Sequence, residues 1–229
     1  MAREFDRNLF VMLLAIMIGV IIITYFVADI VNRSKIDILT EEITTIKGQS
    51  ENFTSLFLKS NVVLDQARED RAFGNYNFDL AFLWYNSALS EKNSLLMDLY
   101  KARGINNCTN AMPNYYNSHL NFEEAKMYYN ITKSYTEVEK YLTILDLYIH
   151  LTESGLKLTM LRYNISIHLK HLTENLTFDA EKNSVIYLEN VTELLFLIEE
   201  ALAEYEDELE IYDGYQDEID EYEFFDENR

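Results

Sequence analysis

The sequence predicts an all-α protein, with a single transmembrane helix near the N-terminus followed by a helical bundle or a short helical-hairpin array. Three observations carry that expectation. The stretch from Leu9 to Val31, LFVMLLAIMIGVIIITYFVADIV, has no charge before Asp29. The whole chain holds one proline and six glycines beside abundant Leu, Ile, Tyr, Glu and Lys, a composition that favours long helices over a turn-rich β fold. Beyond the apolar stretch, apolar residues recur at steps of three and four, the period of an amphipathic helix.

Residues 1–8 form a short tail, and residues 9–31 form the anchor. At about 1.5 Å per residue the anchor is roughly 34 Å long, enough to cross about 30 Å of hydrocarbon. Fifteen of its residues are Leu, Ile, Val or Phe, each favouring insertion by roughly 0.3–0.6 kcal/mol. The one acid opposes it by about 3 kcal/mol at mid-membrane and by less near the interface. Insertion wins by several kcal/mol. The lipid bilayer is therefore the first expected partner.

A juxtamembrane helix follows over residues 32–48, with Ile36, Leu39, Ile43 and Ile46 on one side and Gly48 as its stop. Its seam is short, so it needs either the domain's own helices or a second copy of the chain. An α-helical domain is expected over residues 49–213. Its first helix carries Phe53, Leu56, Ser60, Val63 and Ala67 and should stop at Gly74, and a second runs from Asn77 to about Arg103. Residues 104–116, GINNCTNAMPNYY, read as a loop. Asn121 with Glu124 offers a helix start, Ser134 with Glu137 a further capping box, and Gly155 an interruption before a helix over residues 156–172. Thr177 can cap the last helix, in which Leu188, Val191, Leu195, Ile198, Leu202, Tyr205, Leu209 and Tyr212 oppose a face of Glu and Asp. Gly214 should end that helix, leaving residues 214–229 as an acidic, mobile tail.

The net charge of −20 disfavours nucleic acid, whose phosphates would be repelled. The single Cys108 excludes an internal disulfide and leaves a free thiol or a bond to another chain. His168, His171 and Glu174 fall at three-residue steps, but metal pairs on one helix usually stand four apart, so they read as surface groups and no metal or cofactor is expected. His119 and His150 read as an isolated loop residue and an isolated helix-face residue. There is no nucleophile elbow, phosphate loop or dinucleotide glycine fingerprint, and no enzyme is expected.

Asn-x-Ser/Thr occurs at Asn32, Asn52, Asn107, Asn130, Asn164, Asn175 and Asn190. Composition alone predicts about two or three such motifs, so the excess reads as glycan acceptors on an exported surface. Asn32 abuts the membrane and is the one expected to stay unused. Lysine and arginine are balanced across the anchor, Arg3 and Arg7 against Arg33 and Lys35, so charge does not set its orientation. The acceptors do, placing the large domain outside the cytoplasm on an uncleaved, single-pass cell-membrane anchor.

Asn77-Phe78-Asp79-Leu80-Ala81 with Tyr85 and Ala88 echoes Asn121-Phe122-Glu123-Glu124-Ala125 with Tyr129 and Thr132 at an offset of 44. Over residues 76–133 the chain here resembles the tetratricopeptide repeat, in which such a pattern starts the second helix of a hairpin. The resemblance implies a protein-docking surface and no catalysis. The expected function is thus a membrane-anchored, extracytoplasmic interaction or scaffold module that binds a protein partner or itself. The alternatives are a cytoplasm-facing tetratricopeptide-like adaptor, which leaves the acceptors unmodified, and a ligand-sensing ectodomain that signals through a partner.

Overall fold

The structure is a computed structural model that describes the backbone of residues 2–222 and the side chains of residues 29–222. Its elements are α1 (Ala2–Leu89), α2 (Ser94–Lys133), α3 (Glu139–Glu174), a hairpin of β1 (Leu176–Asp179) and β2 (Ser184–Tyr187), and α4 (Thr192–Asp220). The fold is all-α. Among the described residues no helix is long and apolar enough to cross a membrane. The anchor expected at residues 9–31 lies outside the described side chains, save for its last three residues. The chain divides into two compact units, residues 1–51 and residues 52–229.

The second unit is an up-down-up-down four-helix bundle, read from its cross-helix contacts. Tyr115 Oη donates to Asn75 and Tyr129 Oη to Asn61, so α1 and α2 run antiparallel. Lys126 pairs with Glu153 and Lys133 with Asp146 between α2 and α3. Ser154 Oγ donates to the Glu208 carbonyl and Tyr222 Oη to that of Lys140, which ties α4 to α3. Arg68 reaches Tyr212 and Gln216 and closes α4 onto α1.

A seven-residue repeat of small side chains brings α1 and α2 together. Ser60, Ala67, Gly74, Ala81 and Ala88 are all buried on α1, and Gly104, Ala111, Ser118, Ala125 and Thr132 on α2. Small residues let two backbones approach, and the heptad step keeps them on one seam. Ser118 Oγ donates to the Ala67 carbonyl across that seam at 2.6 Å. The larger knobs of α2 stand beside it: Cys108, Tyr115, Phe122 and Tyr129, again every seventh residue and all buried.

This packing corrects the glycine stops. α1 runs unbroken through Gly48 and Gly74, α2 through Gly104, α3 through Gly155 and α4 through Gly214. A Cβ on Gly74 would stand 2.7 Å from the Tyr115 ring, and one on Gly155 would stand 2.5 Å from the Phe122 ring. These glycines seat aromatic rings and do not end helices. Residues 104–116 are therefore helix and not loop. Pro113 is tolerated because it lies on the exposed face of α2, where the carbonyl it leaves unpaired meets water. Asn77 and Asn121 sit inside α1 and α2 and start no helix. α2 alone, at 40 residues, exceeds a tetratricopeptide helix–turn–helix unit of about 34.

The real breaks fall elsewhere. The first lies between Leu89 and Ser94, where Asn93 Oδ1 accepts the Leu95 and Leu96 N–H groups as an N-cap, inside the helix expected from Asn77 to Arg103. The second follows Lys133. There Ser134 closes α2, while α3 starts on Val138 without a side-chain cap, so the Ser134/Glu137 box does not form.

Thr177 caps nothing and lies in β1, which pairs antiparallel with β2 in the register Leu176↔Tyr187 to Asp179↔Ser184. Asp179 accepts the Glu181 and Lys182 N–H groups in the turn, which holds its carboxyl below the usual range, and Asn183 takes the left-handed φ of 47°. α4 continues past Gly214 to Asp220 because its buried stripe, Val191, Ile198, Tyr205, Tyr212 and Ile219, keeps its seven-residue step. The expected tail thus begins as helix, and residues 223–229 lie outside the described ones.

Candidate functional site

The bundle carries a lateral apolar groove between α1 and α4. α1 supplies Phe78, Phe82 and Tyr85, one turn apart, so their rings form a ladder. Phe78 and Phe82 stack at 6.4 Å, and Phe82 and Tyr85 tilt together at 6.3 Å. α4 supplies Leu195, Ile198 and Leu202, and α3 supplies Leu169 and Leu172 beneath them. Two cavities of about 420 Å³ and 540 Å³ adjoin along this seam and share Phe82 and Leu202. The charged groups of the lining, Arg162 apart, are acidic: Asp79 on α1, and Glu199 and Glu206 on α4.

Arg162, on α3, closes one end of the groove from below. Its guanidinium lies 4.4 Å from the Phe78 ring centre and 4.0 Å from that of Tyr205, between two aromatic faces. Arg71 lies 4.1 Å over Tyr212, whose hydroxyl accepts from Arg68 Nε at 3.1 Å. Aromatic faces hold the charges of Arg71 and Arg162, and among the described residues no carboxylate forms an ion pair with either. Arg162 Nε and Arg71 Nη1 are left buried without a hydrogen-bond acceptor. Sequence reading missed these arginines. For Arg71 the signal was the seven-residue step Leu64, Arg71, Phe78, Tyr85 on α1, which puts a cation on the inward face.

A third cavity, of about 370 Å³, opens between α2 and α3 against Tyr115, Tyr116, His119, Met160 and Tyr163. His119 is thus a helix residue lining a cavity, not a loop residue, and its Nδ1 is buried without a partner. His150 stacks on Tyr215 at 5.5 Å and bonds Glu153. His168 is held below its usual pKa by burial and by neighbouring His171, and Glu174 faces Lys170 at 3.9 Å. Among the described residues no three His, Cys, Asp or Glu side chains converge as a metal-binding group.

Of the acceptor asparagines, Asn52, Asn130, Asn164 and Asn190 are exposed, as is Asn32, and Asn107 and Asn175 are half-buried. Asn107 and Asn175 donate their side-chain amides to the Arg103 and His171 carbonyls. None of the acceptors lines the α1–α4 groove.

Cys108 is fully buried on the α2 seam. That position corrects the loop placement of Cys108 and, of the two expected states, accords with the free thiol. Burial also pushes the thiol up to about 12, so almost no thiolate exists at neutral pH. Cys108 is accordingly expected to stay unlabelled by maleimide in the native protein and to react fully after denaturation, as read by mass spectrometry. Rapid native labelling would show that the α1–α2 seam opens.

Fold and groove together define an all-α bundle domain with a lateral apolar groove. No known protein family, curated protein or solved structure matches the chain.

Proposed function

We propose that the chain is a single-pass membrane protein, anchored through residues 9–31, whose glycosylated four-helix domain lies outside the cytoplasm. In this reading the domain performs no chemistry of its own and docks a basic amphipathic helix of a partner protein in the α1–α4 groove. The groove carries the reading. Its apolar floor spans about three helical turns of α4, from Leu195 to Glu206, the length over which a docked helix presents an i, i+3, i+4, i+7 face. Its acidic rim favours Lys and Arg on the flanks of that helix. A chain of net charge −20 would meet the same rim with repulsion, which disfavours a second copy as the occupant. The absence of acceptor asparagines from the groove lining leaves the floor clear of glycan attachment.

Two measurements test it. Lys92, exposed in the α1–α2 turn, becomes the topology probe as Lys92→Cys in a Cys108→Ser background. Labelling of intact cells by a membrane-impermeant maleimide is expected. Labelling only after permeabilisation would favour the cytoplasmic adaptor. For the groove, a Lys-rich amphipathic helical peptide is expected to bind about 10-fold tighter than its Glu-rich counterpart, and Leu202→Asp to cost about 10-fold in affinity. Equal binding of both peptides, or indifference to Leu202→Asp, would remove the groove from the function.

A further inference from the structure

In the first unit, Ile36, Leu39, Ile43 and Ile46 lie on one face of α1 and remain between 55% and 65% exposed, so among the described residues of that unit nothing covers them. Four large apolar side chains on one helical face are costly to leave in water, at about 25 cal/mol for each Å² of apolar surface. We propose that this stripe pairs with the same stripe of a second copy, forming a parallel two-stranded coiled coil between membrane and bundle.

The spacing assigns Ile36 and Ile43 to heptad position a, and Leu39 and Ile46 to position d. Ile36 and Ile43 at a with Leu39 at d follow the two-stranded preference, Ile46 at the second d position departs from it, and the charge pairing decides for two parallel strands. The flanking charges fit the same register. Glu42 falls at g and Lys47 at the following e, so in a parallel pair each Glu42 faces Lys47 of the other copy. An antiparallel pair matches g with g, which would bring Glu42 toward Glu42. Within one helix Lys47 reaches Glu51 only at 3.9 Å and is 75% exposed, so it is available across the seam. Thr40, Thr44 and Thr45 donate their hydroxyls to carbonyls of their own helix and make no polar demand on the partner. Two heptads are short for association in free solution. Anchoring both copies in one membrane raises their effective concentration, a step that rests on the anchor proposed above.

The test uses the full chain in native membranes, in a Cys108→Ser background, with single cysteines at three positions. Under mild oxidation Leu39→Cys and Ile43→Cys are expected to give at least about five-fold more disulfide-linked dimer than Glu41→Cys, which faces away at position f. Glu42→Lys should reduce the dimer formed by Ile43→Cys, and adding Lys47→Glu should restore it. Equal crosslinking at positions 39, 41 and 43, or no response to the charge exchange, overturns the proposal. Alkaline carbonate extraction separates this from failure of the anchor. A chain retained in the membrane with flat crosslinking overturns the coiled coil alone. A chain released by carbonate that still crosslinks periodically supports the coiled coil and overturns the anchor.

Discussion

Gly155→Ala is expected to lower the unfolding free energy of the bundle by about 1–3 kcal/mol, although alanine is the better helix former by about 1 kcal/mol. The new Cβ would meet the Phe122 ring at 2.5 Å, and that ring is fully buried and packed edge-to-face with Tyr212 at 6.3 Å. Gly74→Ala should behave alike, since Tyr115 is fully buried and its hydroxyl is held by Asn75. Gly214→Ala should do the opposite and gain up to about 1 kcal/mol, because nothing stands within 4 Å of the position. Thermal denaturation of the three variants reads the contrast. A loss of 1 kcal/mol corresponds to about 2–4 °C in a domain of this size. Phe122→Leu introduced with Gly155→Ala should recover part of the loss, a coupling that a double-mutant cycle isolates. A rise in Tm for Gly155→Ala would show that the Phe122 ring does not sit where the packing places it.

Stability is expected to collapse between about pH 10 and pH 12, because the core keeps protons that the unfolded chain gives up. Unfolded thiols and phenols lose theirs near pH 8.5 and pH 10. Burial raises Tyr115 and Tyr129 well above the usual phenol range and pushes Cys108 up to about 12. These three groups therefore contribute fully below their unfolded pKa values. Above them the native state holds more protons than the unfolded state, and each group costs about 1.4 kcal/mol per pH unit until its folded pKa is reached. Together they remove about 4 kcal/mol per unit above pH 10, against a total of about 5–15 kcal/mol for a domain.

Denaturant midpoints measured at pH 8, 9.5, 10.5 and 11 give the slope. Tyr129→Phe provides the control. It should cost about 1 kcal/mol at pH 8, through loss of the 2.9 Å hydrogen bond to Asn61. It should also make the alkaline slope shallower by about 1.4 kcal/mol per pH unit. A midpoint that stays level to pH 11 would show that water reaches these hydroxyls.

Both experiments probe the rigidity that the proposed docking role needs. The α1–α4 groove is held by the ring ladder of Phe78, Phe82 and Tyr85, and the hydroxyl contact of Tyr85 with Tyr187 ties that ladder to the hairpin. A surface built on helices packed this closely changes little when a partner docks, so less of the binding energy is spent on ordering it.

The helical class, the apolar stripe of the juxtamembrane helix and most of the buried face of α4 could be read from the chain, because each follows from periodicity within one segment. Val191, Ile198, Tyr205 and Tyr212 of the expected stripe are buried, whereas Leu195 is exposed and Leu188 lies exposed ahead of α4, in the link from the hairpin. Local signals failed where a residue's meaning depended on another segment. Gly74, Gly104 and Gly155 look like breaks in isolation and become seats for Tyr115, for the Thr173 methyl and for Phe122 once the helices pack. The hairpin has a local signature, Thr177 and Phe178 against Ile186 and Val185 around an Asp179–Asn183 turn, and it competes with the reading of Thr177 as a helix cap.

The groove had no local signature at all, since Phe82 and Leu202 are neighbours only because α1 and α4 are antiparallel. The sequence by itself determined that the chain is helical, acidic and supplied with one long apolar segment. Tertiary structure alone decided which glycines are contacts, where Cys108 hides, and which faces meet to leave a groove, because close packing is a property of pairs of helices and not of either one.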